Sequence, residues 1–238
     1  GLEHLPKQGP YLLVANHSGG TGIAEILSLL ALYVRDIGVD RPIAGFALPL
    51  AFRLPGVAWV FRQVGAVPSH RHAADETLSA GVPLLIFPGG EYDTLRPVWL
   101  ANEVDFGGRK GFLRIARDHQ IPIVPLGIRG SHYTAPMLLR AKWLAWALVL
   151  PRLMGIKRFG ISLLGVIGCV GIMAGTAWPL GWQLLACWGW LASPLVLLPW
   201  LPWTIRMRVG EPMGPPAAVD DAALHEVEQA VKRALKAA

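Results

Sequence analysis

His17, within Asn16-His17-Ser18-Gly19-Gly20, follows directly on the apolar run Tyr11-Leu12-Leu13-Val14-Ala15, so an imidazole stands where a strand hands over to a glycine-rich helix start. Imidazole titrates close to neutral pH, with an ordinary pKa of about 6.5, and can take a proton from an attacking hydroxyl. In a plain turn the same residue would only cap the following helix. Downstream, Val82-Pro83-Leu84-Leu85-Ile86-Phe87 reads as a buried strand. It runs into Pro88-Gly89-Gly90-Glu91-Tyr92-Asp93-Thr94-Leu95-Arg96-Pro97, a tight turn and then a charged loop. Ile121-Pro122-Ile123-Val124-Pro125-Leu126-Gly127 has the continuous apolar character of another buried parallel strand. Three strand ends are expected to converge on one face.

The chemistry available there is general-base catalysis: His17 would deprotonate a hydroxyl, and backbone N–H groups of a glycine-rich turn would hold an oxyanion. Neither a metal nor a covalent intermediate is required. Gly19, Gly20, Gly89 and Gly90 let backbone approach a substrate, although glycines also serve turns for conformation alone. Arg71, Arg96 and Arg109 are the candidate anion contacts, since guanidinium grips phosphate bidentately; each also fits a solvated surface role. A helix beginning near Thr21 puts Glu25 about one turn in, where a carboxylate suits the positive helix end and can reach back toward His17 or serve as an ordinary first-turn acid. His132 is a second candidate base or a loop histidine. A dinucleotide fingerprint fails at Glu25, and neither Gly-x-Ser-x-Gly nor a Gly-Lys-Ser/Thr phosphate loop occurs.

The order of these blocks resembles the PlsC-like glycerolipid acyltransferases. The Asn16-His17 turn is similar to the first family motif, and Gly65-Ala66-Val67-Pro68-Ser69-His70-Arg71 to the second. Phe87-Pro88-Gly89-Gly90 is similar to the third, Ile121 to Leu126 to the fourth, and Arg206 to Met213 to the last strand. The resemblance implies a membrane-associated acyltransferase with His17 as general base. It implies acyl-CoA or acyl carrier protein as donor substrate, no cofactor, and substrate contacts from Asn16, Ser18, Gly19, Gly20, Arg71, Pro88, Gly89, Gly90, Glu91, Arg96 and Arg109. Two departures stand out. Gly22 occupies the position where the family keeps the aspartate that orients its histidine, leaving Glu25 as substitute. The third motif has Gly89-Gly90 before Glu91 in place of Glu-Gly-Thr-Arg, as in diacylglycerol-acyltransferase-type and related bacterial members. A neutral lipid acceptor and a lysophospholipid acceptor both remain open. So does a non-catalytic lipid-binding scaffold that lost the acid partner of its histidine.

Composition fits a lipid-facing protein. The 238 residues are 53% hydrophobic with formal net charge +6 and mean hydropathy +0.42, more apolar than a typical soluble domain. Basic charge without a Lys/Arg tract or nucleic-acid module favours anionic lipid over nucleic acid as partner. Phe159 to Ile205 contains no charged residue and no histidine. Split at Trp178-Pro179-Leu180-Gly181, it gives two segments of roughly twenty residues, each near the length that crosses a bilayer core. Arg152, Lys157 and Arg158 before it and Arg206 and Arg208 after it place both ends on the cytoplasmic side, as two spans or as a shallow interfacial hairpin. A buried apolar insertion is the alternative. Cys169 and Cys187 inside it read as small buried apolar residues.

The elements that must position the site alternate: strands at Tyr11–Ala15, Ile43–Ala47, Ala66–Pro68, Leu84–Phe87 and Ile123–Leu126, and helices at Thr21–Asp36, Leu48–Phe61, His72–Ala80 and Arg109–Gln120. That rhythm predicts an α/β fold, a mostly parallel sheet flanked by helices. Ala222 to Ala237 reads as a closing amphipathic helix. The chain is expected to be one domain, 1–238, interrupted by a tryptophan-rich membrane insert at about 159–205. Gly1 opens it without methionine or a secretory pattern, as in a fragment of a longer protein.

Overall fold

Continuous apolar runs can be buried on both faces only in the middle of a layered fold, and the computed structural model, which describes residues 1–238, puts them there. The chain forms β1 (Leu12–Ala15), α1 (Ile23–Asp36), β2 (Ala44–Ala47), α2 (Pro55–Gln63), β3 (Ala66–Pro68), α3 (Arg71–Ser79), β4 (Leu84–Ile86), the short α4 (Glu91–Thr94), α5 (Gly111–Asp118) and β5 (Ile123–Arg129). A second group follows: β6 (Met137–Ala141), α6 (Lys142–Ala147), α7 (Leu150–Leu153), β7 (Phe159–Ser162), α8 (Leu163–Gly175) and α9 (Leu180–Ala192). Strand β8 (Arg206–Val209) and α10 (Asp221–Lys236) complete the chain. The main sheet has the order β3-β2-β4-β1-β5-β8, parallel from β3 through β5, with β8 antiparallel on the edge. Strands β6 and β7 form a separate antiparallel pair.

The α/β class and all five expected parallel strands are present. Leu12 and Val14 face a core built with α3, α5 and α10, whereas Leu13 and Ala15 face one built with Tyr33 of α1. Burying each such side chain contributes about 1.5–3 kcal/mol, and β1 is buried on both faces, which fixes it at the sheet centre. The closing helix starts at Asp221, its N-cap Asp220 accepts from the Ala223 N–H, and Leu224, Val227, Val231 and Leu235 are buried as the pattern demands.

Three expectations are corrected. The helix read over Leu48–Phe61 is a 3-10 turn, Pro49–Arg53, followed by α2, because Pro55 supplies no N–H and bars the helical conformation at Leu54. Helix α1 begins at Ile23, since Gly22 takes the left-handed conformation with φ +70° and ends the turn that carries His17. The apolar insert does not supply two spans. Its start is used by β7, its end is broken at Pro194 and Pro199, and what remains is a pair of 13-residue helices, α8 and α9, packed on each other. Such a helix is about 20 Å long against a hydrocarbon core of about 30 Å. No helix is long and apolar enough to cross a membrane.

Helix α10 lies directly on β5 at Gly127, where an added Cβ would run into the backbone of Ala234 and Leu235. Gly127→Ala is therefore expected to lift the helix off the sheet and cost about 1–3 kcal/mol. A lowered urea midpoint with an unchanged slope checks this.

Candidate active site

Strand β1 ends in the sheet interior, and the residues after it must satisfy buried polar groups. The Asn16 side chain does so fully: its Nδ2 donates to the Ile128 carbonyl at 2.8 Å and its Oδ1 accepts from the Ile128 N–H at 2.8 Å. Asn16 thus laces β1 to β5 and is not free for a substrate, contrary to expectation. His17 comes next, its ring stacked on Phe87 with centroids 4.3 Å apart and its side chain 13% exposed. Its main-chain N–H donates to Asp93 Oδ2 at 2.7 Å.

Glu25 is 0% exposed, and its carboxylate is surrounded. Oε1 accepts from the Ser18 N–H at 3.0 Å and pairs with His17 Nδ1; Oε2 accepts from Ser18 Oγ at 2.9 Å and from Ser131 Oγ at 2.7 Å. With Nδ1 engaged by the carboxylate, Nε2 carries the free lone pair and has no partner within the protein. The geometry also explains the departure at Gly22. A Cβ there would collide with the imidazole at Cε1, so no side chain fits and the acid reaches the ring from inside α1. The acid partner has moved to Glu25.

A second buried pair supports the turn. Arg96, 3% exposed, donates from Nη2 to Asp93 Oδ1 at 2.7 Å, from Nε to the same oxygen at 3.0 Å, and from Nη2 to the Asp105 carbonyl at 2.9 Å. Burial pushes the Asp93 carboxyl up from its ordinary value, while the Arg96 guanidinium and the His17 N–H pull it down. Arg96 is therefore a structural partner of Asp93, not the anion contact expected of it. Arg71 is half-exposed and pairs at the surface with Asp75 at 2.8 Å and Asp118 at 2.9 Å. It follows β3, three strand spacings or roughly 14 Å from β1.

The remaining expected residues form the frame of the turn. Gly19 and Gly20 are buried against the Ser131 and Leu197 carbonyls, and Ser18 Oγ is spent on Glu25 and Ser131. Arg109 clamps the third-motif turn, donating from Nη1 to the Pro88 carbonyl at 3.2 Å and to that of Gly89, and from Nη2 to Glu91 at 2.8 Å. Gly90 lies under that guanidinium. His132 is buried with Nε2 unpartnered; desolvation, reinforced by Arg96 and His17, lowers its pKa to about 3, so it is neutral and no ready acceptor of bulk protons.

Sequence reasoning did not single out Asp93, which lies in the charged loop read after the strand at Leu84–Phe87, or Ser131, which lies beyond the strand read at Ile123–Leu126. It also missed Arg140 and Arg158 as partners of the site. Their guanidinium carbons lie 3.7 and 5.1 Å from the centre of the Tyr92 ring, and Arg158 is 3.9 Å from Glu91. With Arg109 they gather three cations beside the turn that holds His17. Only the return of the β6–β7 pair brings them there, so no local pattern could have found them.

Comparison with known proteins follows the same outline. The sequence model of the family described as Acyltransferase matches residues 1–129. The bovine (Bos taurus) "DGAT1/2-independent enzyme synthesizing storage lipids" is 29% identical over 126 residues, 53% of this chain and 36% of that protein. An uncharacterized protein of Mycobacterium tuberculosis is 29% identical over 174 residues, 73% of this chain and 47% of its own length. The chain thus spans about half the length of the mycobacterial relatives it matches. The crystal structure of the 1-acyl-sn-glycerophosphate (LPA) acyltransferase PlsC from Thermotoga maritima superposes with TM-score 0.51 at 21% identity, covering 100% of this chain and 69% of that one. That likeness is one of fold.

Arg96→Met would strand the Asp93 carboxylate, and breaking a buried pair from one side costs about 3–5 kcal/mol. Denaturant unfolding should show that loss, whereas an exposed anion contact would leave stability unchanged. His132 gives a pH signature. Its folded pKa lies below its unfolded value of about 6.5, so the unfolded chain binds the extra proton and stability falls as pH drops from about 6.5 toward 3. Replacing His132 with Gln should flatten that limb of a melting-temperature profile.

Proposed function

Because the chain belongs to the acyltransferase family, we propose that it moves a fatty acyl group from a thioester, acyl-CoA or acyl carrier protein, onto a hydroxyl of a glycerolipid. The observation that carries this reading is the His17–Glu25 pair. An imidazole whose Nδ1 is held by a buried carboxylate presents Nε2 as the acceptor for a hydroxyl proton, and the carboxylate stabilises the imidazolium that forms. The acceptor oxygen then attacks the thioester carbonyl, the tetrahedral oxyanion collapses, and the thiolate leaves with a proton returned by His17. Backbone N–H groups of Gly19 and Gly89 make no hydrogen bond within the protein and are the donors available to the oxyanion.

Two features bear on the substrate. Arg140 and Arg158 beside Tyr92 suit a negatively charged acceptor headgroup, which tips the choice between lysophospholipid and neutral lipid toward the former. The α8–α9 pair exposes Trp178, Leu180, Trp182, Leu184, Leu185 and Trp188, a surface suited to lying in the headgroup region of the cytoplasmic leaflet. Basic residues on both flanks of the insert favour the same side.

The test is transfer of labelled long-chain acyl groups by purified protein in detergent. Acceptors are lysophosphatidate, other lysophospholipids, monoacylglycerol, diacylglycerol and a long-chain alcohol. His17→Ala is expected to lower kcat by about 10²–10⁴-fold while vesicle co-sedimentation persists, and Glu25→Gln to lower kcat with little change in KM. Equal product from wild type and His17→Ala would remove His17 from the mechanism.

A further inference from the structure

Arg129 and Arg206 stand directly opposite each other across the antiparallel β5–β8 pair, with Arg208 two residues along on the same strand face. None of the three makes an ion pair or a side-chain hydrogen bond within the protein. Like charges directly opposed across a ladder destabilise it, so the fold gains nothing from this pairing. Beside the two arginines lies a cleft of about 280 Å³ lined by Arg129, Gly130, Tyr133, Trp203, Thr204 and Arg206, with no carboxylate among them. Tyr133 and Trp203 form one wall, their rings 5.0 Å apart and tilted by 39°. The floor is tight: Gly130 has φ +96°, and a Cβ there would strike the Thr204 carbonyl.

The cleft opens at the same sheet edge as the candidate active site. Asn16 is bonded to Ile128 on the neighbouring strand, so Arg129, the last residue of β5, stands at the same end of the parallel sheet as the turn that carries His17. We propose that this cleft binds a phosphate group, gripped by the guanidinium groups of Arg129 and Arg206, with the group that bears it laid against Tyr133 and Trp203. Two uncompensated guanidiniums beside aromatic faces provide charge, bidentate geometry and a flat apolar support together. The volume lies at the low end for ligand sites, enough for one phosphate with its immediate substituent and too small for a whole coenzyme. That phosphate has two possible sources, the ribose phosphate of a coenzyme A thioester or the headgroup of a phospholipid. The first rests on the acyl-transfer reading above; the phosphate site itself does not.

Binding is therefore measured without turnover. Wild type and the Arg129→Gln/Arg206→Gln variant are compared by equilibrium dialysis of labelled adenosine 3′,5′-bisphosphate. Both are also compared by co-sedimentation with phosphatidylcholine vesicles with and without phosphatidylglycerol. A tenfold or greater loss of nucleotide binding in the variant assigns the site to the donor; loss of only the phosphatidylglycerol-dependent increment assigns it to a lipid headgroup. Unchanged binding in both arms overturns the proposal, as does a wild type that binds neither. Arg206→Glu supplies the control for folding: it places an acid opposite Arg129, and is expected to raise the melting temperature while abolishing phosphate binding. Absence of acyl transfer by wild type would count against the catalytic reading and leave these binding results fully interpretable.

Discussion

A carboxylate removed from water must be surrounded by donors, and Glu25 imposes that demand at the centre of this molecule. Its four partner groups come from two places in the chain, the His17 ring and the Ser18 hydroxyl and N–H after β1 and the Ser131 hydroxyl after β5, while Glu25 itself stands in the first turn of α1. Satisfying it therefore fixes the exit of β1, the start of α1 and the exit of β5 relative to one another. The left-handed Gly22 lets the chain turn sharply enough between histidine and helix, and the absence of its Cβ is what leaves room for the ring.

A second buried charge makes that arrangement rigid. Asp93 holds the His17 N–H, Arg96 neutralises Asp93, and Arg96 is tied in turn to the Asp105 carbonyl. Phe87 supplies the flat surface under the imidazole. The imidazole is thus held from its ring face, its Nδ1 and its backbone N–H, leaving Nε2 as the ring nitrogen without a partner. Preorganisation of this sort lowers the reorganisation needed when charge develops in the transition state.

The β6–β7 pair and the two apolar helices after it do separate work. The strands carry Arg140 and place Arg158 against the Tyr92 ring, adding positive charge where the local sequence supplies only Glu91 and Arg109. The helices are short because β7 and a series of prolines take the ends of the uncharged segment. The segment then returns at β8, antiparallel to β5, which sets Arg206 opposite Arg129.

The sequence alone determined the α/β class, the five parallel strands, the amphipathic closing helix and the location of His17, because these depend on period, apolar runs and turn residues that are local in the chain. It also pointed to Glu25, since one turn of helix sets its reach. It did not show that Asn16 and Arg96 are buried and engaged within the protein, because the charge or amide of a side chain is visible in sequence but its partner is not. Ile128 and Asp105 lie 112 and 9 residues from the groups they engage. The length of an apolar segment likewise does not reveal how much of it strands and prolines will consume. Tertiary structure decided those pairings, the cage of Glu25 and the cationic groups at Tyr92, because desolvation and charge balance are settled among atoms brought together only by folding.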